Sequence, residues 1–356
     1  MILPESPDLH TEKLGAVFNK TTATYKYFWF LSLLELVVKE GRTQFAIWDV
    51  IAHMVSLAWY PIHYFHLSFG KSDSMEDRIR LIQEETQLTI DQEKSDIIAC
   101  LLGESDKRKR NRWLDVFTHN VPYRFLMPWL QTTDDAETAR LSQTFTNDCL
   151  YSIAKIDGDL MITMNPHWKA YLQKNYTILH DFAYWNLTLF LQTRNPNVPN
   201  IAAKLIKPAK RESLSNQRKF WDTVIREQGG IHCLYTDKLL LPGDYDLDHF
   251  IPWSFVTHDQ IWNLMPADSS INSSKSDHLP DLDRYLGKLA LQQQKAAEII
   301  YRKAPRNKTL EDYLNITDSL DEFIHMQEDN LMDVFSRTFR PLVQIASNMN
   351  FETWKF

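Results

Sequence analysis

The run Asp246-Leu247-Asp248-His249-Phe250-Ile251-Pro252-Trp253-Ser254-Phe255 decides how this chain is read, together with two shorter runs that follow it. They are Ile261-Trp262-Asn263-Leu264-Met265-Pro266 and Asn272-Ser273-Ser274-Lys275-Ser276-Asp277-His278-Leu279-Pro280. Asn263 lies fourteen residues after His249, and Asn272 nine after Asn263. An Asp-His pair alone is common and says little, and so does an Asn ahead of Leu-Met-Pro. The ordered set, with Pro252, Ser254, Phe255 and Lys275 in their places, is far more specific.

This order resembles the HNH nucleases, which share two strands and a helix around one divalent cation. It is similar in particular to the HNH domain of CRISPR RNA-guided DNA nucleases. There the elements Asp-x-Asp-His, Pro-x-Ser-Phe, Asn and Asn-x-x-Lys-Ser-Asp occur in the same order at similar spacing. The resemblance runs from Ser215 to Pro280. The rest of the chain shows nothing like a guide-RNA channel or a second nuclease domain, so the resemblance carries over nuclease chemistry and not RNA guidance.

The resemblance implies a role for each matching residue. His249 is the general base, because an imidazole near its ordinary pKa can take a proton from water at neutral pH. Asp248 is a metal ligand. In an extended strand it would point away from its neighbour His249, so the strand must end or bend there. Asn272 supplies a second oxygen from the following helix. One carboxylate, one amide and several waters suit Mg²⁺, with Mn²⁺ able to substitute. Asn263 holds the loop that positions His249. Lys275, three residues after Asn272, lies near it on the helix and could face phosphate. Asp246 either supports the site from behind the ligands or is simply exposed.

Many relatives carry two CxxC pairs around a structural zinc. Here Cys233 is followed three residues later by Thr236, and Asp268 and Ile271 stand four and one before Asn272. No zinc knuckle is expected, and Cys233 reads as a small core residue. The three cysteines, Cys100, Cys149 and Cys233, also rule out a disulfide framework and suit a reducing cytoplasm.

Outside this region the patterns are helical. Tyr25 to Leu36 and Ala46 to Trp59 have helical spacing, with Gly41 and Pro61 as stops. Ser74 to Leu102 reads as one helix ending at Gly103. Val121 to Trp129, with two prolines, reads as irregular chain packed on a core. Cys149–Met164 reads as a hairpin around Asp157-Gly158, a strong two-residue turn signal. His167 to Gln192 is helical, and Asn195-Pro196-Asn197-Val198-Pro199-Asn200 is the best linker candidate. Ser215 to Gln228 is an amphipathic helix stopped by Gly229-Gly230, and Asp281 onward is helical again.

The expected architecture is mainly α with a small α+β insert. Residues 1–200 form a helical sensing, binding or oligomerisation region, 201–285 the nuclease domain and 286–356 a helical segment packing on the rest. Few glycines, 9, and many tryptophans, 11, speak against a glycine-rich nucleotide fold.

The net charge of −7, from 39 basic and 46 acidic residues, gives no global attraction to nucleic acid, so binding must use local patches. One follows the linker, where Lys204, Lys207, Lys210, Arg211, Arg218 and Lys219 cluster, and Arg302 to Lys308 adds another. The run Lys107 to Arg112 reads as a solvated loop or helix start, or as a phosphate-contacting patch. The most apolar runs, Phe28–Val38 and Phe45–Phe65, are interrupted by Glu35, Asp49, His53 and Pro61, so they read as buried helices and not as membrane spans, which need about 20 mostly uncharged residues.

The functional expectation is a Mg²⁺-dependent DNA endonuclease, in the manner of a restriction or anti-phage defence effector, acting as a homo-oligomer or with a partner protein. Two alternatives stay open at this level: a non-cleaving nucleic-acid-binding or regulatory subunit, and an RNA-cleaving nuclease.

Overall fold

The computed structural model describes residues 2–207 and 213–356. The described chain is mainly helical, with three small antiparallel sheets. It divides into two compact units. The first comprises residues up to Pro196 with Ile201–Lys207; the second comprises Asn197–Asn200 and the described residues from 213 onward.

The first unit is built on aromatic helices. Tyr25–Leu34 is buried nearly all round and runs into one π-helical turn, Glu35–Lys39. Ile47–His63 packs beside it and carries Pro61 inside its last turn. The helix therefore outlasts the stop expected there. Ser74 to Leu102 is not one helix but two, Met75–Glu85 and Lys94–Gly103. Thr86 turns extended between them, and Trp59 Nε1 donates to the Thr89 carbonyl, fixing the break. Val121 to Leu130 forms two single helical turns, each with a proline in its first turn, where a missing N–H costs nothing.

The hairpin joins β2 (Tyr151–Ile156) to β3 (Asp159–Met164), with Asp157 at φ 51° and Gly158 at φ 91° in the tight turn; a short edge strand β1 (Gln44–Ala46) completes the sheet in the order β1-β3-β2. Asp157 and Gly158 both sit at positive φ, as a two-residue turn matched to strand twist demands.

The basic run becomes the helix Lys107–Leu114, capped by the Asp106 carboxylate on the N–H groups of Arg108 and Lys109. Lys109 pairs with Glu104 and lies over the Trp113 ring, Arg110 lies over Trp48, and Arg112 pairs with Glu85. Three of its cations are thus engaged within the unit.

In the second unit the helix Ser215–Gln228 ends on Gly229 at φ 74°. Two-stranded ribbons follow: β4 (Ile231–His232) with β5 (Leu239–Leu240), then β6 (Asp246–His249) with β7 (Leu264–Ala267). Gly230, at φ 141°, lies against Leu239, and a Cβ there would come within 2.7 Å of the leucine Cδ1. A short helix, Ser269–Lys275, follows β7 directly. The long helices Leu282–Lys303 and Glu328–Asn348 share one apolar core with these strands, through Leu247, Phe250, Leu264 and Met265 on one side and Leu289, Ile300, Phe335 and Phe339 on the other. Cys233 is buried in that core. No helix among the described residues is long and apolar enough to cross a membrane.

Candidate functional site

β6 and β7 pair antiparallel with Asp248 opposite Met265 and His249 opposite Leu264. β6 stops at His249, and Asn263 explains why the chain turns there. Its buried carboxamide accepts from the Ile251 N–H at 2.8 Å and donates to the Ile251 carbonyl at 2.9 Å. The Asn263 carbonyl also accepts from the Phe250 N–H at 2.8 Å. A carboxamide offers an acceptor and a donor at this reach, so it can pair both the N–H and the C=O of one residue. The residues that follow His249 are thereby held as if by an added strand.

The long helix Leu282–Lys303 reinforces this turn. Gln293, fully buried, donates to the carbonyls of Ile261 (3.1 Å) and Leu264 (2.8 Å), and its own carbonyl accepts from the Tyr313 hydroxyl at 2.7 Å.

Asp248 is buried, 3% exposed, which is costly for a carboxylate unless its charge is compensated. Lys275 compensates it. The lysine side chain is fully buried, and Nζ lies 3.2 Å from both carboxylate oxygens. It also donates to the His249 carbonyl at 2.7 Å. The Tyr235 hydroxyl donates to Asp248 Oδ2 at 2.9 Å. Burial, with the Asp248 charge beside it, holds the Tyr235 phenol well above its usual pKa, so it remains a donor. Lys275 therefore does not face outward to phosphate, as its place three residues after Asn272 suggested; it ties the helix to β6.

Asn272 stands one turn before Lys275 on the Ser269–Lys275 helix, half-buried. Asp268 caps that helix by accepting from the Ser270 N–H, and Lys238 pairs with it at 2.6 Å. These contacts, the lysine first, hold the Asp268 carboxyl well below the usual carboxylate range. Asp246 sits half-buried at the start of β6.

The His249 ring is 11% exposed, and Nε2 lies 2.8 Å from Asp259 Oδ1. Sequence reasoning missed Asp259, Tyr235 and Gln293. No local pattern marks them, because each reaches the site across ten or more residues of chain.

The basic residues expected at a phosphate surface differ in their surroundings. Lys204 is buried, lies over the Phe65 ring, and has its pKa pulled down to about 7 by burial. It is removed from that set. Lys207 donates to the Asp91 carbonyl and to Glu93. Arg218 lies against the Tyr245 ring and donates to the Tyr245 carbonyl, while Lys219 on the same helix is exposed. Lys210 and Arg211 lie outside the described residues. Arg302, Lys303, Arg306 and Lys308 are exposed, with Lys303 paired to Glu227.

Among the described residues no group of three or more His, Cys, Asp or Glu side chains is gathered as a metal site. The expected donors are one carboxylate, Asp248 at the end of β6, and one carboxamide, Asn272, on the helix that Lys275 ties to that strand. Both are hard oxygen donors, and in this structure the Asp248 oxygens are engaged by Lys275 Nζ and the Tyr235 hydroxyl. Few protein ligands with oxygen donors fit Mg²⁺, which keeps several of its waters.

The model of the HNH endonuclease family matches residues 233–281 of this chain. That span holds every strand of the second unit except β4, and the whole of the Ser269–Lys275 helix. Neither a search of curated proteins nor one of solved structures finds a match. The chain therefore carries an HNH endonuclease domain, which implies nucleic acid as its partner and a divalent metal as its usual cofactor.

Proposed function

We propose that this chain is a metal-dependent endonuclease that hydrolyses DNA phosphodiester bonds, with His249 as general base and Asp248 and Asn272 as the residues that would hold Mg²⁺ or, in its place, Mn²⁺. The observation that carries the reading is the end of β6. There a carboxylate and an imidazole are adjacent in sequence, the chain beyond them is clamped by Asn263, and the helix bearing Asn272 is tied back by Lys275.

When bound, the cation supplies Lewis-acid neutralisation of charge on the scissile phosphate and its leaving oxygen. His249 accepts a proton from the attacking water, whose oxygen bonds to phosphorus as the bond to the leaving oxygen breaks. Asn263 keeps the base in place without touching substrate. Lys275 acts as a positioning residue through Asp248 and the His249 carbonyl. Phosphate contacts come from the exposed cations Lys219, Arg302, Arg306 and Lys308. The biological setting we infer is restriction or anti-phage defence, with the helical first unit as the sensing or binding part.

Supercoiled plasmid tests this directly. Nicking or linearisation is expected with Mg²⁺ or Mn²⁺ and none in chelator. His249→Ala should cut roughly 10²–10⁴-fold more slowly while binding DNA normally. Asp248→Ala and Asn272→Ala should shift the metal dependence as well. Equal cutting in chelator refutes the metal reading, and no cutting of any DNA form refutes the activity. Phage plating on cells carrying the parent or His249→Ala then tests the defence role; equal plating rejects it.

A further inference from the structure

We infer that Asp259 is the residue that orients the general base: its carboxylate engages His249 Nε2, so the ring presents Nδ1 to the attacking water. The inference rests on His249 being the base proposed above. It assigns a further positioning residue and states which ring nitrogen does the chemistry.

The geometry begins with the 2.8 Å contact between His249 Nε2 and Asp259 Oδ1. A carboxylate can only accept in this contact, so Nε2 must carry the hydrogen. In a neutral imidazole that leaves Nδ1 with the lone pair. A base nitrogen has to be bare, and a single tautomer held before substrate arrives removes the cost of selecting it later. The same contact stabilises the imidazolium that forms when Nδ1 takes the proton, as in Ser-His-Asp triads.

Asp259 is itself held in position from two sides. Its carbonyl accepts from Gln217 Nε2 of the Ser215–Gln228 helix at 3.0 Å. Two residues on, the Ile261 N–H donates to Asp312 Oδ2 at 2.8 Å. Thr257, at φ 52°, turns the chain out of the preceding helical turn and starts the loop. None of these anchors uses the Asp259 side chain. The carboxylate, 24% exposed, and the ring, 11% exposed, are partly shielded from water, which strengthens a charge-assisted contact. Because the loop is fixed through its backbone, the side chain can be altered with the fold kept.

The test uses the full chain in two arms. In the first, ¹⁵N spectra of histidine-labelled protein at pH 8, without metal or DNA, report the His249 ring, identified by its loss in His249→Ala. The expected spectrum shows hydrogen on Nε2 and a bare Nδ1, and Asp259→Ala should give a mixture of tautomers. Hydrogen on Nδ1 in the parent overturns the inference whatever the activity.

In the second arm, single-turnover DNA cleavage is followed for parent, Asp259→Asn and Asp259→Ala. The rate constant should fall by about 10²–10⁴ in Asp259→Ala. Asp259→Asn, which keeps an oxygen acceptor, should fall less. The DNA concentration for half-saturation and the Mg²⁺ midpoint should not move. Parent-rate cutting by Asp259→Ala, or a gain in rate showing that the carboxylate blocks the ring, overturns it. A parent chain that cuts nothing is instead a failure of the proposed activity, and the first arm still decides whether Asp259 sets the tautomer.

Discussion

Replacing Lys275 by Met tests how the site is held together. Lys275 Nζ and the Asp248 carboxylate are 3.2 Å apart, with the two side chains 0% and 4% exposed. At an effective dielectric near 20, unit charges at that distance attract by about 5 kcal/mol before desolvation is counted. Removing one partner of such a buried pair leaves the other charge uncompensated and costs about 3–5 kcal/mol. Lys275→Met nearly keeps the side-chain volume, so cavity formation adds little. The Tyr235 hydroxyl, 2.9 Å from Asp248, still donates and places the loss nearer the lower end of that range. For a unit of this size each kcal/mol moves Tm by about 2–4 °C, so a loss of about 3–4 kcal/mol should lower it by roughly 6–16 °C, read by calorimetry or circular dichroism at pH 7. The double variant Lys275→Met with Asp248→Leu removes both charges and should recover most of the loss, because a well-packed apolar pair often matches a buried ion pair. The reasoning fails if Lys275→Met costs under about 1 kcal/mol, or if the double variant loses as much as the two single changes together.

Three further outcomes follow from the same structure. Asn263→Ala leaves the Ile251 N–H and carbonyl unpaired in the core and should cost about 1–3 kcal/mol per lost partner; cleavage should fall even well below Tm, and cutting at the parent rate would show that the clamp is dispensable. His63 is buried, with Nε2 lacking a partner, and burial first, then Arg80, pushes its pKa down to about 4. A depressed histidine costs nothing above its unfolded value of 6.5 and destabilises as pH falls from there toward 4, by about 3 kcal/mol in all; denaturant titrations of His63→Gln across that range should show a shallower acid limb, and an unchanged limb removes His63 as the cause. Finally, Lys219→Glu and Arg306→Glu should each reduce the slope of log affinity against log salt by about 0.9 or more per lost phosphate contact, whereas Lys204→Met should not change it; an unchanged slope in the first two places the DNA surface elsewhere.

Features controlled by neighbours in sequence are legible from the residues alone. The Asp157-Gly158 turn needs two positive-φ residues, and such a pair does the same work in any hairpin. Gly229 closes the Ser215–Gln228 helix because an αL residue ends a helix wherever it occurs. The clamp by Asn263 is also readable, but from resemblance, since nothing in Asn-Leu-Met-Pro itself indicates a partner twelve residues back. Where local rules mislead, a distant contact or the packing of the unit has overridden them. Pro61, by local rules a helix stop, sits inside the final turn of the helix it should have ended. Ser74 to Leu102, continuous in its periodicity, breaks where Thr89 meets Trp59.

The sequence by itself determined that this chain has an HNH endonuclease domain in a mainly helical protein, because that domain is specified by ordered residue types at short spacings within one stretch of chain. Only the tertiary structure decided what surrounds each of those residues. Lys275 and Lys204 look alike in sequence to any exposed lysine, yet both are buried, one against the Asp248 carboxylate and one over the Phe65 ring. Asp259 looks like any loop aspartate, yet it meets His249. A side chain's charge is written in the sequence, but its dielectric surroundings and its partner are set by segments that folding brings together from elsewhere in the chain.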